Sequence, residues 1–380
     1  METEENRYAR HHLIDWWDQK RLSQARVMVV GAGAIGNEVI KNLALLGVGN
    51  LWVVDFDTVD VTNLTRSVLF RESDIGRSKA EVAVERARDI NPQLSATALS
   101  CDLEYEIGAG VYRSMDVVIG CLDSLQARLA LNRTCYQVGT PWINGGIEVT
   151  VAEVSLFQAG KGACFECSMS PSMWEQHHER FSCGGLRADV EEAKQPTTAV
   201  VASIVAGYMV NEAVALLHAD SENSKTGLEF GQKMILLLKP YRFDIYGLPT
   251  DPNCLAHDYW ESVEILPLSP SVLTTAQLLE QIGEPTGTLE LGFDLLTVMR
   301  CVECGVEEQV FQPLEKTGVE ESECPHCRKR SRYPETVTWI DSESEWAQTL
   351  LSQFGVPDCQ IVCVKGKNGT RYIQLTGTFS

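Results

Sequence analysis

The sequence predicts an α/β fold over its first two thirds and a smaller, β-richer end. Three observations carry that reading. Residues 27–55 run as an apolar stretch (Val27 to Val30), glycines at 31, 33 and 36, a helical stretch (Asn37 to Leu46), a second apolar stretch (Leu51 to Val54) and then Asp55. Further short apolar runs, such as 116–120 and 141–146, alternate with helical patterns downstream. Near the end, Cys301, Cys304, Cys324 and Cys327 stand in C-x2-C-x19-C-x2-C spacing.

The first observation is a strand, turn, helix and strand ending in an acid. Gly31, Gly33 and Gly36 have G-x-G-x-x-G spacing, which lets backbone come close to a phosphate at a helix N-terminus. Asp55 lies 19 positions after Gly36, where a carboxylate can take a ribose hydroxyl. Together they read as a Rossmann-like nucleotide-binding βαβ unit. An NAD dehydrogenase would use Asp55 but has no use for Asn63 and Arg66 just beyond it.

Those following residues carry a resemblance. Asp55-Phe56-Asp57-Thr58-Val59-Asp60 and Asn63-Leu64-Thr65-Arg66 resemble the ThiF/MoeB/E1 superfamily, whose pattern is D-x-D-x-V-(D/E)-x-x-N-L-x-R-Q; Ser67 replaces the final Gln. Members adenylate the C-terminal carboxylate of ubiquitin-like proteins. The resemblance spans about residues 5–262 and implies an E1-like adenylation domain with a mostly parallel sheet. It implies that Gly31, Gly33, Gly36, Asp55, Asp57, Asn63, Arg66, Lys79 and Asp123 bind ATP, with Asp123 holding Mg2+.

Composition bounds the rest. The net charge is −20, from 32 Lys+Arg against 52 Asp+Glu, which argues against a nucleic-acid partner. No uninterrupted apolar run reaches 18 residues, and the opening METEENRYARHH has no apolar signal core, so no membrane span and a cytoplasmic location are expected. Thirteen cysteines in a reducing compartment point to metal sites and a reactive thiol rather than disulfides.

In chain order, residues 6–24 suggest a helix with Leu13, Ile14, Trp17 and Leu22 on one face. Arg7-Tyr8-x-Arg10 resembles the family's R-Y-x-R-Q opening, with His11 in place of Gln. There the second arginine reaches the phosphates of the opposite subunit, so Arg10 is a candidate trans arginine finger and a homodimer is expected. Lys79 fits the position of the relatives' G-x-x-K turn, which carries a lysine to the phosphates. Residues 79–90 form an amphipathic helix, stopped by Asn91-Pro92, with Val82 and Ile90 inward.

Short strands follow at 94–101 and 116–120. Cys121-Leu122-Asp123-Ser124 matches the family's (C/A)-x-D-N except at Ser124. Residues 126–139 form a helix, which Asp123 alternatively caps. Residues 141–146 look like a strand and glycine turn, and 147–157 like a strand. Cys164 and Cys167, with Cys254 and His257, occupy the positions of the structural zinc site of many relatives.

Residues 171–200 are polar and turn-rich, like the relatives' crossover loop. Cys183, the only cysteine there, is the candidate nucleophile toward an acyl-adenylate, with Arg180 and Arg187 to lower its pKa and His177 and His178 as candidate bases. An apolar helix follows, with Glu212 in a structural role, and then strands within 228–246 turning near Lys239-Pro240.

From 263 the resemblance ends. Residues 263–297 read as a connector with a helix at 274–282. Residues 298–335 read as a ribbon holding a second Zn2+, because two C-x2-C pairs at this spacing bind tetrahedrally. Residues 336–380 read as a small α+β unit with a helix at 344–354 and a hairpin at Lys367-Asn368-Gly369.

The expected function is E1-like: adenylation of a ubiquitin-like protein with ATP-Mg, transfer to Cys183 as a thioester, then hand-over to an E2-like partner. A sulfur-carrier adenylyltransferase is the alternative. A non-catalytic E1-like scaffold is a second, disfavoured because the pocket arginine, lysine and aspartate are all present.

Overall fold

The computed structural model describes residues 7–178, 197–219 and 227–377. The chain divides into two units: one of residues 1–104, 112–168 and 193–259, the other of 105–111, 169–192 and 260–380.

The first unit is built on an eight-stranded sheet. Its strands are β1 (Arg26–Val30), β2 (Asn50–Val54), β3 (Ser95–Leu99), β4 (Val117–Gly120), β5 (Trp142–Ile147), β6 (Val151–Phe157), β7 (Gln232–Leu238) and β8 (Tyr241–Gly247). Their order is β3-β2-β1-β4-β5-β6-β7-β8. The first five pair in parallel, and β5 to β8 form an antiparallel meander. The chain runs outward from β1 to β3 and returns on the other side as β4. The carboxyl ends of β1 and β4 therefore flank a topological switch point, where open α/β sheets bind ligands.

The helices of this unit include α1 (Gln19–Gln24), α2 (Ala34–Leu46) and α3 (Lys79–Ile90). Helix α4 (Ala109–Arg113) straddles the sequence ranges of the two units, and α5 (Leu125–Val138) follows in the first. In the second unit's sequence range comes α6 (Pro171–His178), and α7 (Ala199–Leu217) returns to the first. Val27 and Val29 of β1 share one core with Val39, Ile40 and Leu43 of α2 and Val205 and Met209 of α7. Met28, Val30 and Val118 are buried too, and strand alternation turns them to the opposite face. Burial of both faces explains why these strands read as continuous apolar runs.

Helix α7 is long and apolar enough to cross a membrane by length and composition, although Asn211 and Glu212 interrupt its apolar run. Its Val205, Ala206, Met209 and Ala213 lie in the core. Glu212, 4% exposed, accepts the N–H groups of Gly227 and Leu228, as a structural role requires. Burial raises its carboxyl pKa, and those two N–H groups oppose the rise.

Two local expectations fail in this unit. Residues 6–24 are not one helix: a 3-10 turn at His11–Leu13 precedes α1, and Leu13 is 80% exposed. Asp18 explains the break, since its carboxylate accepts the N–H groups of Lys20 and Arg21 and starts α1 there. Gly145 and Gly146 lie within β5 rather than in a turn. A Cβ on Gly145 would stand 2.3 Å from the Met209 sulfur, so the glycine serves the close approach of α7.

The second unit contains β9 (Val263–Leu266), α8 (Thr275–Gln281), β10 (Thr288–Cys301), β11 (Glu307–Pro313), β12 (Arg332–Asp341), β13 (Ile361–Gly366) and β14 (Gly369–Leu375). Their sheet runs β11-β10-β13-β14-β9, with β12 paired to β10. Strands from 263–266, 288–301 and 361–375 thus share one sheet. Its core holds Leu278 of α8, Leu289 and Leu295 of β10, Phe354, Val364 and Ile373. Residues 344–354 are not a helix but turns ending in a 3-10 stretch, Leu351–Phe354. Backbone bonds from Ala276 N–H to Ala347 O and from Leu351 N–H to Leu273 O hold that segment, overriding its helical pattern.

Candidate nucleotide site and two cysteine clusters

The glycine turn is set by close contacts. Gly31 has φ of +93° and donates its N–H to Val54 O. A Cβ on Gly31 would meet Cys121 O at 2.5 Å, and one on Gly36 would meet Gly31 O at 1.9 Å. Gly33 is different: a Cβ there meets nothing within 4 Å. As N-cap of α2 it offers no side-chain acceptor, so the first-turn N–H groups have no side-chain cap beside the open space at Gly33. That cradle fits an anion.

Asn37, which the sequence reading missed, ties the turn together. Fully buried, it donates through Nδ2 to Ala32 O and Gly33 O and accepts Leu69 N–H. Its signal was an amide directly after Gly36, in the first turn of α2.

Asp55 follows β2 and lies beside the turn. Its carboxylate accepts Ala32 N–H at 2.6 Å and Asp57 N–H at 2.9 Å. Burial raises its pKa, and the Lys79 charge is the largest opposing influence. Lys79, only 12% exposed at its side chain, pairs with Asp57 at 2.6 Å. Its backbone is clipped to the same segment through Lys79 N–H to Asp57 O. Asp55, Asp57 and Lys79 therefore form one group at the mouth of the glycine turn.

Asn63 and Arg66 belong to the next loop. Asn63 Oδ1 accepts Asp60 N–H while the Asp60 carboxylate accepts Thr62 N–H. Arg66 donates to Thr62 O at 2.7 Å and remains part-exposed.

Asp123 lies just past β4, two residues after Cys121, whose carbonyl abuts Gly31. Ser124, not Asp123, caps α5: its hydroxyl accepts Ala127 N–H. The exposed Asp123 carboxylate is thus left out of the cap. Half-buried Arg128, also unread from sequence, braces this loop by donating to Leu122 O, Asn144 Oδ1 and Gly145 O. Burial lowers its pKa, against the pull of Glu153 and Asp123. Arg10 is exposed, at the N-cap of the 3-10 turn before α1, and its guanidinium has no partner among the described residues. Cys183, Arg180 and Arg187 lie outside the described residues, as do the side chains of His177 and His178.

Two clusters meet the geometry of tetrahedral metal. Ligands about 2.3 Å from one zinc stand roughly 3.8 Å apart. Cys164 Sγ is 3.8 Å from Cys167 Sγ and 3.7 Å from Cys254 Sγ, and Cys167 Sγ is 3.3 Å from His257 Nε2. His257 stacks on Tyr136. In the second cluster Cys301 and Cys327 are 3.7 Å apart and Cys304 and Cys324 3.6 Å. Its two knuckles are alike: Gly305 and Arg328, both with positive φ, donate N–H to Cys301 O and Cys324 O. Each set of four ligand atoms lies within 4.8 Å of one another, so both could hold zinc.

Glycine turn, half-buried acid and paired lysine stand together at the switch point of a Rossmann-like α/β sheet. The model of the ThiF family matches residues 6–238, and the chain belongs to that family. It is 40% identical over 148 residues to SUMO-activating enzyme subunit 2 of Dictyostelium discoideum, covering 39% of this chain and 22% of that one. It is 33% identical over 213 residues to a probable molybdopterin-synthase adenylyltransferase of Pyropia yezoensis, covering 54% and 56%. With ubiquitin-like modifier-activating enzyme 5 of Oryza sativa subsp. japonica it shares 28% over 254 residues, 62% and 56% of the two chains. The match thus spans between about a fifth and three fifths of these relatives. The crystal structure of E. coli MccB with ATP shares the fold at TM-score 0.55 and 24% identity, covering 67% of this chain and 75% of that chain.

Proposed function

We propose that this chain is an E1-like adenylyltransferase that activates the C-terminal glycine of a ubiquitin-like or sulfur-carrier protein with ATP. The observation that carries the reading is the Asp55–Asp57–Lys79 group beside the open cradle at Gly33. A hydride-transferring enzyme needs the acid and the glycines but not the paired lysine. The relatives' names, activating enzymes and an adenylyltransferase, support the same chemistry.

A carboxylate oxygen of the substrate protein attacks the α-phosphorus of ATP. A new P–O bond forms, the bond to the β-phosphate bridge breaks, and pyrophosphate leaves. Asp55 takes the ribose. Lys79 and Arg66, with Arg10 of a second copy in a homodimer, offset charge as it develops, which is positioning and electrostatic catalysis. Asp123 would hold Mg2+, which supplies further charge to the phosphates. Zinc in the two cysteine clusters is structural in this account.

The acyl-adenylate then passes to the Cys183 thiolate as a thioester, with AMP leaving, and on to an E2-like partner in the cytoplasm. The sulfur-carrier route, ending in a thiocarboxylate, is the second reading, favoured by the similarity to the molybdopterin-synthase relative.

The test is ATP–pyrophosphate exchange driven by a ubiquitin-like protein ending in glycine. Asp123→Ala and Lys79→Ala should lower exchange by about 10²–10³-fold, the size of losing an electrostatic stabiliser. Exchange near the wild-type rate in both variants sinks the assignment.

A further inference from the structure

We propose that the free edge of β12 is a docking site for an extended, basic polypeptide segment, bound by strand addition. The observation is an unblunted sheet edge. Among the described residues β12 pairs with β10 alone, so its other edge carries unpaired backbone N–H and C=O groups. Such edges template further pairing, and proteins usually block them with charge or proline. Here Pro334 and Glu335 lie at one end and Asp341 at the other. Between them Thr336-Val337-Thr338-Trp339-Ile340 has neither charge nor proline, and every member is β-branched or aromatic. Trp339 is 57% exposed.

A groove of about 700 Å3 runs along this stretch. The residues after the strand form its wall, with Glu343, Glu345 and Trp346 joining Trp339 and Asp341. None of the three carboxylates forms an ion pair among the described residues, although Asp341 accepts the N–H groups of Glu343 and Ser344. Indole faces with unpaired carboxylates suit a lysine or arginine side chain, by charge and by cation–π contact. Main-chain bonds along an edge give affinity, and alternate side chains give specificity.

Charge selects the occupant. A second copy pairing antiparallel about Thr338 would set Glu335 against Asp341, on a chain already at −20. Like charges directly opposite destabilise strand pairs. A basic segment from a different protein meets no such repulsion.

The experiment uses the full chain and a fluorescent alternating octapeptide, Lys-Val repeated four times, read by anisotropy. Binding is expected for this peptide. It should fall at least tenfold for the all-glutamate counterpart and for a peptide N-methylated at alternate residues, which keeps its charge but loses donors. Thr338→Pro and Trp339→Ala should each weaken binding at least fivefold. Trp339→Ala removes an exposed side chain, so the test survives if the proline variant misfolds. Equal binding of the N-methylated peptide, no binding of the lysine peptide, or a wild-type self-association in sedimentation that Trp339→Ala disperses would each overturn the proposal.

Discussion

Replacing Gly36 with alanine puts a methyl group 1.9 Å from the Gly31 carbonyl oxygen and 2.9 Å from its carbon. The obstacle is backbone, so the turn between β1 and α2 must open. Overpacking of this kind costs about 1–3 kcal/mol. At Gly33 the same substitution meets nothing within 4 Å, at an ordinary φ of −73°. Its structural cost is the weaker N-cap preference of alanine, no more than about 1 kcal/mol. Function should respond differently, because the new methyl enters the cradle that faces α2's first turn. A tenfold loss of ATP affinity is about 1.4 kcal/mol, and at least that is expected of Gly33→Ala. Urea unfolding and calorimetric ATP titration separate the two. Gly36→Ala should unfold at lower urea, whereas Gly33→Ala should unfold near wild type yet bind ATP poorly. ATP at a hundred times its Kd should add about 2.7 kcal/mol to the wild type and far less to Gly33→Ala. Wild-type ATP affinity in Gly33→Ala would refute the assignment of that open space to phosphate.

Asn37→Ala should lose about 1–3 kcal/mol in urea unfolding, since it strands the buried N–H of Leu69 and two turn carbonyls. Metal analysis should return two zinc ions per chain, with Cys254→Ser and Cys324→Ser each removing one; one zinc in the wild type would remove the site at Cys164, Cys167, Cys254 and His257. The pH dependence of ATP binding follows from Asp55. Its pKa is raised by burial and held down by Lys79, and protonation removes the charged acceptor, so affinity is lost as pH falls through that pKa. Lys79→Met takes away the lowering influence, so the midpoint of that loss should move to higher pH. An unmoved midpoint, whatever the overall affinity, would separate Asp55 from the nucleotide. Cys183→Ser should leave exchange intact while abolishing the thiol-cleavable adduct with the substrate protein; a thiol-cleavable adduct in that variant would move the nucleophile elsewhere.

The βαβ unit was legible because three local signals agreed there. Apolar runs gave β1 and β2, the glycines gave the turn, and Asp55 closed the register. What failed was decided at a distance. Residues 344–354 have helical spacing, yet bonds to 273–276 hold them in turns. Residues 6–24 look amphipathic throughout, but the Asp18 carboxylate begins the helix late, and its own N–H is fixed by His218 from the end of α7. Asn37 and Arg128 escaped notice for a related reason. Asn37 also accepts Leu69 N–H and Arg128 donates to Asn144 and Gly145, partners brought near only by the fold, and neither carries a motif of its own. Ser124 shows the converse: a departure from the family pattern that the structure explains as a helix cap, leaving Asp123 clear of it.

The central claim is that ATP is spent on a protein's C-terminal carboxylate. Intact-mass spectrometry tests it most directly, on a ubiquitin-like protein ending in glycine incubated with this chain, ATP and Mg2+ and quenched in acid. The account predicts an added AMP group at the C-terminal glycine, absent when the substrate lacks that glycine and absent with Asp123→Ala. An added phosphate without AMP, or AMP retained on a substrate whose C-terminal carboxylate is amidated, would contradict it.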